Sequence, residues 1–176
     1  MSQLTYISFA FRLLIRDRIY SVTYGLAGAV FFFVFLFSIR IHFYLFGGVS
    51  LSSIVSFDQS PHFLFYTSFT ALLVLFFFHC LHNLGDLGVM MAVGGNRLGC
   101  IWLFSLTLLL LFIPGLLIGI IGNLLTASPP GFGIIFELKA IFTAGLLFVF
   151  GVFLVSVPTI GINSFVDPYR AIRRQK

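Results

Sequence analysis

The sequence predicts an all-α membrane protein with four transmembrane helices, and three observations predict it. The 176-residue chain is 60% hydrophobic and 9% charged, with 25 phenylalanines. A soluble domain of that size has no interior large enough for so much apolar surface, so lipid must solvate most of it. Four stretches, residues 20–39, 62–81, 101–127 and 138–160, meet the requirement of about 20 apolar residues for a helix to cross the hydrocarbon core. Runs such as FFFVFLF (31–37) and LTLLLLFIPGLLIGII (106–121) lack the apolar–polar alternation of a transmembrane barrel strand.

Ahead of the first span, residues 1–19 carry Leu4, Ile7, Phe11, Leu14 and Ile15 at helical spacing, with Arg12, Arg16 and Arg18 among them. That pattern suits an amphipathic helix lying in the membrane interface. The plainer reading, a basic flank of the first span, fits the same residues. Residues 20–176 then form one four-span unit. The first span is too long and starts too deep for a cleaved signal peptide, so it is expected to remain as an anchor.

The loop expected over residues 40–61 holds Gly47, Gly48, several serines and Asp58, and is too short for a folded domain. The next outer connection contains Ser128, Pro129, Pro130 and Gly131, a turn that proline and glycine favour. In the third span, Pro114 removes a backbone hydrogen bond and is expected to kink the helix. Gly115, Gly119 and Gly122 put small residues on nearly one face, which permits close helix contact. At the start of the fourth span Glu137 and Lys139 stand two positions apart. They do not face each other on a helix and are expected to meet lipid headgroups.

Charge orients the chain. Arg12, Arg16, Arg18, Arg97, Arg170, Arg173, Arg174 and Lys176 fall on one side of the spans, and Arg40 and Lys139 on the other. By the positive-inside rule both termini are cytoplasmic. The net charge of +5 is then a topology and headgroup signal, and membrane lipids rather than nucleic acid are the expected partners. Cys80 and Cys100 fall near cytoplasmic span ends, where thiols stay reduced.

Two segments carry a more specific pattern. Residues 83–107, NLGDLGVMMAVGGNRLGCIWLFSLT, form a glycine-marked polar stretch leading into an apolar run, and residues 167–173 read DPYRAIR. Asp86-Leu87-Gly88 followed by Gly94-Gly95-Asn96-Arg97, and the closing Asp167-Pro168-x-x-Ala171-x-Arg173, resemble the two signature regions of the FtsX-like permeases, the MacB, FtsX and bacitracin-resistance type. The local chemistry is coherent. Glycines at 94 and 95 allow a sharp bend, Asn96 can cap the next helix, and Asp167 can cap a short helix opened by Pro168.

The resemblance implies a bacterial cytoplasmic-membrane subunit of an ABC system. Its second span continues as a stalk, and a cytoplasmic coupling helix near Gly94–Cys100 meets a dimeric ATPase. A short C-terminal helix lies nearby. The working form is a dimer with a second permease subunit, identical or larger. Asp86, Gly88, Gly94, Gly95, Asn96 and Arg97 are the implied coupling residues. The expected cargo is an amphipathic peptide or lipid-like molecule that is exported, extracted or sensed. This chain departs from the family in lacking the large extracellular domain and in carrying Thr107 where a glutamate is common. Those departures suit the alternative of a non-transporting interaction protein, an immunity factor or regulatory subunit.

No Gly-x-x-x-x-Gly-Lys-Ser/Thr loop occurs, so ATP and Mg²⁺ are expected on the partner and not on this chain. His79, His82 and Asp86 share helical spacing, but such loose spacing assembles no metal ligand set. Ser105 and Thr107 lack a histidine or carboxylate at comparable depth in the expected spans, so no catalytic residues are expected.

Overall fold

The structure is a computed structural model that describes residues 6–46, 60–92, 94–126 and 133–165. Among these residues the chain is helical without strands: α1 (Tyr6–Arg16), α2 (Arg18–Phe46), α3 (Ser60–His82), α4 (Leu84–Ala92), α5 (Arg97–Leu125) and α6 (Ile134–Phe165). Four helices are long and apolar enough to cross a membrane, over Arg18–Phe46, His62–His82, Arg97–Leu125 and Ile134–Ile162. The all-helical class with four helices long and apolar enough to span a membrane is thus the one observed among the described residues. The loops expected around Gly47, Gly48 and Asp58 and over Ser128–Gly131 lie outside the described residues. So does the C-terminal motif of Asp167, Pro168, Ala171 and Arg173.

The helices are longer than the apolar runs that predict them. At about 1.5 Å per residue, the 29 residues of α2 cover roughly 43 Å, beyond the ~30 Å hydrocarbon core. The additional turns at its C-terminal end contain Arg40 and His42, both buried. A helix continues through such residues where their polar atoms find partners: both Nη atoms of Arg40 and both ring nitrogens of His42 do so here.

The chain divides into two compact units: Met1–Tyr24, Leu73–Leu111 and Phe150–Lys176 form one, and Gly25–Leu72 and Phe112–Val149 the other. Each long helix contributes a segment to both. In the first unit Leu87, Cys100, Phe104 and Ile160 form a buried cluster, with Leu84, Met90, Met91 and Ile101 packed around it. Ser105 and Ser156, both fully buried, share a 2.7 Å hydrogen bond there. Each hydroxyl thereby escapes the cost of an unpaired polar group.

The second unit is built on phenylalanine. Phe32 meets Phe148 edge-on at 5.1 Å and 88° and Phe112 at 6.4 Å and 63°. Phe35 packs with Phe65 and Phe69 at 5.6 and 5.5 Å. Between these rings α5 comes close to α2 through its glycines. A Cβ on Gly115 would stand 3.0 Å from the Ala29 nitrogen, and one on Gly119 would stand 3.1 Å from the Phe32 carbonyl carbon. Gly122 faces the Phe33 ring, where a Cβ would come within 2.9 Å. Pro114 lies inside α5 on an exposed face, away from this seam. Small residues at the contact allow backbone approach, which in lipid stands in for a hydrophobic driving force between helices.

Candidate functional site

The glycine-marked segment becomes a helix, a tight turn and a second helix. Asn83 bridges α3 and α4 without breaking the hydrogen-bond ladder: its N–H donates to the His79 carbonyl at 3.3 Å, and its carbonyl accepts from Leu87 at 3.2 Å. The nine-residue α4 is therefore a near-continuation of the second span. It ends in a doubly bonded cap. The Gly95 N–H donates to the Met90 carbonyl at 2.9 Å and the Gly94 N–H to Met91 at 3.1 Å, the paired pattern of a Schellman motif.

Gly94 adopts φ +93°, a conformation L side chains resist. Gly95 is needed for space, since a Cβ there would come 2.7 Å from the Met90 carbonyl oxygen. Asn96 then opens α5. Its Oδ1 accepts from the Leu98 N–H at 3.3 Å, and its carbonyl accepts from Cys100 at 3.0 Å, the geometry of an N-cap. Gly94, Gly95, Asn96, Arg97 and Leu98 are all exposed. The short helix thus precedes the turn, and the third spanning helix begins at Arg97 itself. No separate helix intervenes.

Asp86 is held by Arg16, which the sequence marks only as one of the basic residues ahead of the first span. Arg16 of α1 donates from Nη1 to Oδ1 at 3.2 Å and from Nη2 to Oδ2 at 2.6 Å, a fork that fixes orientation as well as charge. Nη2 also reaches Asp17 at 3.4 Å. The hydrogen bond to Asp86 is the main reason that the Arg16 pKa stands above its ordinary value, with partial burial opposing it. Gly88 is buried on α4, two residues nearer the cap. The implied coupling residues thus divide: Asp86 and Gly88 anchor α4, whereas Gly94 to Arg97 are presented outward.

The histidines nearby have separate partners. His79 Nε2 lies 3.1 Å from Asn83 Nδ2, and His82 stacks on Tyr20 at 3.8 Å and 12°. Among the described residues no group of three His, Cys, Asp or Glu side chains could hold a metal ion. Cys80 and Cys100 are buried and free. Thr107, also buried, turns its hydroxyl onto the Leu103 carbonyl of its own helix at 2.8 Å.

A second polar centre lies within the phenylalanine-rich unit and corrects two expectations. Arg40 is helical and only 5% exposed, where a loop residue was expected. Its Nη2 donates to Glu137 Oε1 at 2.7 Å, so Glu137 is an intrachain partner rather than a headgroup contact. Nη1 donates to the Asn123 carbonyl at 2.7 Å and to Thr126 Oγ1 at 2.6 Å. Glu137 stands in the first turn of α6, where the helix dipole favours a carboxylate. Among the described residues Arg40 Nε and Asn123 Oδ1 have no hydrogen-bond partner. In the same unit, buried His42 and His62 face each other at 2.9 Å. Lone polar residues at the margins of apolar runs were the only sequence signal, and they do not reveal pairing.

The chain matches no protein-family profile, no curated protein and no solved structure.

Proposed function

We propose that this chain is the membrane subunit of an FtsX-like ABC system and that the exposed Gly94–Arg97 turn is where a separate ATPase engages it. The observation that carries the reading is the construction of that turn. Two caps lock its shape, Gly94 holds a conformation that costs other residues energy, and the flanking α4 is tethered by Arg16. A turn so constrained and yet exposed is suited to receiving a rigid partner, because little ordering entropy remains to be lost on docking. The match of Asp86, Gly88, Gly94, Asn96 and Arg97 to the family pattern adds the identity of the partner.

In this reading α1 is amphipathic and lies in the cytoplasmic interface, both termini are cytoplasmic, and the membrane is the bacterial plasma membrane. ATP and Mg²⁺ stay on the ATPase dimer, whose closure moves the turn. Motion then passes along α4 into α3 through the unbroken ladder at Asn83. A second permease subunit, identical or larger, completes the assembly. The cargo is an amphipathic peptide or lipid-like molecule, exported, extracted or sensed. Thr107, sealed onto its own helix where the family has a carboxylate, favours a second reading: a regulatory or immunity subunit that keeps the fold without transporting.

Affinity purification of the tagged chain from its native membrane in mild detergent, with mass spectrometry of what accompanies it, separates the two. A stoichiometric ATPase is the expected companion. Recovery of the chain without an ATPase across several detergents would overturn the transporter assignment in favour of the second reading.

A further inference from the structure

A wide-open cleft of about 610 Å³ lies at the surface where α1 gives way to α2. Its polar wall is Arg16, Asp17 and Arg18, its aromatic wall Tyr20 and His82, and its apolar lip Ile19. The apolar span of α2 begins at Arg18, so the cleft stands where a spanning helix meets the headgroup layer.

The charges around the cleft are unequally committed. Arg16 is taken up by Asp86 through both Nη atoms, at 3.2 and 2.6 Å. Its contact with Asp17, at 3.4 Å, is long beside the roughly 2.7–2.9 Å of a strong charge-assisted bond. Arg18 is exposed and makes no ion pair among the described residues. One guanidinium and one weakly engaged carboxylate therefore sit side by side, and the cleft is dipolar rather than simply basic. A purely anionic headgroup would meet the like charge of Asp17. A zwitterion would match both groups, and an ammonium would also face the stacked Tyr20 and His82 rings. Beyond the lip, Ile19 and Val22 are exposed apolar residues one helical turn apart, a path for an acyl chain.

We infer that this cleft binds the headgroup of an ethanolamine phospholipid, with its phosphodiester on Arg18 and its primary ammonium on Asp17. A choline headgroup carries the same charges but has no N–H to donate to the carboxylate. The ligand class depends on this local geometry and not on the ABC reading.

The test uses the full chain in nanodiscs of equimolar phosphatidylethanolamine, phosphatidylglycerol and phosphatidylcholine, with retained lipid counted by native mass spectrometry. The wild type should keep phosphatidylethanolamine in preference to both others. Arg18→Gln should lower that retention about tenfold, as loss of a charge-assisted hydrogen bond does. Asp17→Asn should invert the selectivity toward phosphatidylglycerol, which a merely destabilised protein would not do. Arg12→Gln, outside the cleft, should behave as wild type. Retention of no lipid, wild-type preference for phosphatidylglycerol, equal loss in all three variants, or unchanged selectivity in Asp17→Asn would each overturn the assignment.

Discussion

Among the described residues each of the two compact units contains a long-range ion pair, and the two pairs differ in kind. Arg16–Asp86 is open to solvent, with side chains 55% and 26% exposed. Arg40–Glu137 is enclosed, at 6% and 12%, and is surrounded by the Asn123 and Thr126 acceptors. An exposed pair gains little, because water and salt screen it and two long side chains lose freedom. A buried pair is different: its net worth can be small, yet removing one member strands the other where nothing solvates it. The first unit is therefore adjustable at the tether of α4, and the second is locked around Arg40. The exposed pair joins the two short helices α1 and α4, whereas the enclosed pair joins the long helices α2 and α6.

Three substitutions sharpen this contrast. Glu137→Ala should have the largest effect, about 3–5 kcal/mol of lost stability, because Arg40 keeps its charge and loses its counter-ion. Thermal unfolding in detergent, followed by intrinsic fluorescence, reads it as a large fall in melting temperature. Gly94→Ala comes next, at about 1–2 kcal/mol. A Cβ there meets nothing within 4 Å, so the whole cost is conformational, and the same melting experiment should show a moderate fall. Asp86→Asn should be smallest, below about 1 kcal/mol, and its difference from wild type should shrink as salt is added. Should Asp86→Asn destabilise as much as Glu137→Ala, the distinction between an adaptable and a fixed unit fails.

What could be read from the sequence follows the range of the interactions. The spanning helices rest on continuous apolar runs, a local property, and all four were legible. The Gly94-Gly95-Asn96 turn was legible for the same reason: left-handed glycine, crowded glycine and capping asparagine are neighbours whose chemistry is set within a few residues. Arg16–Asp86 spans 70 positions and Arg40–Glu137 spans 97, so no window contains both partners. The error at Arg40 has a definite cause. A charged residue at the end of an apolar run is read as the start of a loop, yet with Glu137, Asn123 and Thr126 as partners it can stay helical and buried. His42 and His62 were hidden in the same way, each placed outside or at the edge of a span until α2 was seen to continue to Phe46.

The role proposed for the locked, outward-facing turn is to transmit work from an ATPase. The direct measurement is ATP hydrolysis by the co-purified ATPase, reconstituted in nanodiscs with wild-type chain or with Arg97→Glu. The substitution lies on an exposed position, and a melting curve of the variant checks that it is folded. Stimulation of hydrolysis should fall at least about tenfold, the loss of roughly 1.4 kcal/mol of coupling. Full stimulation by a folded Arg97→Glu chain would contradict it.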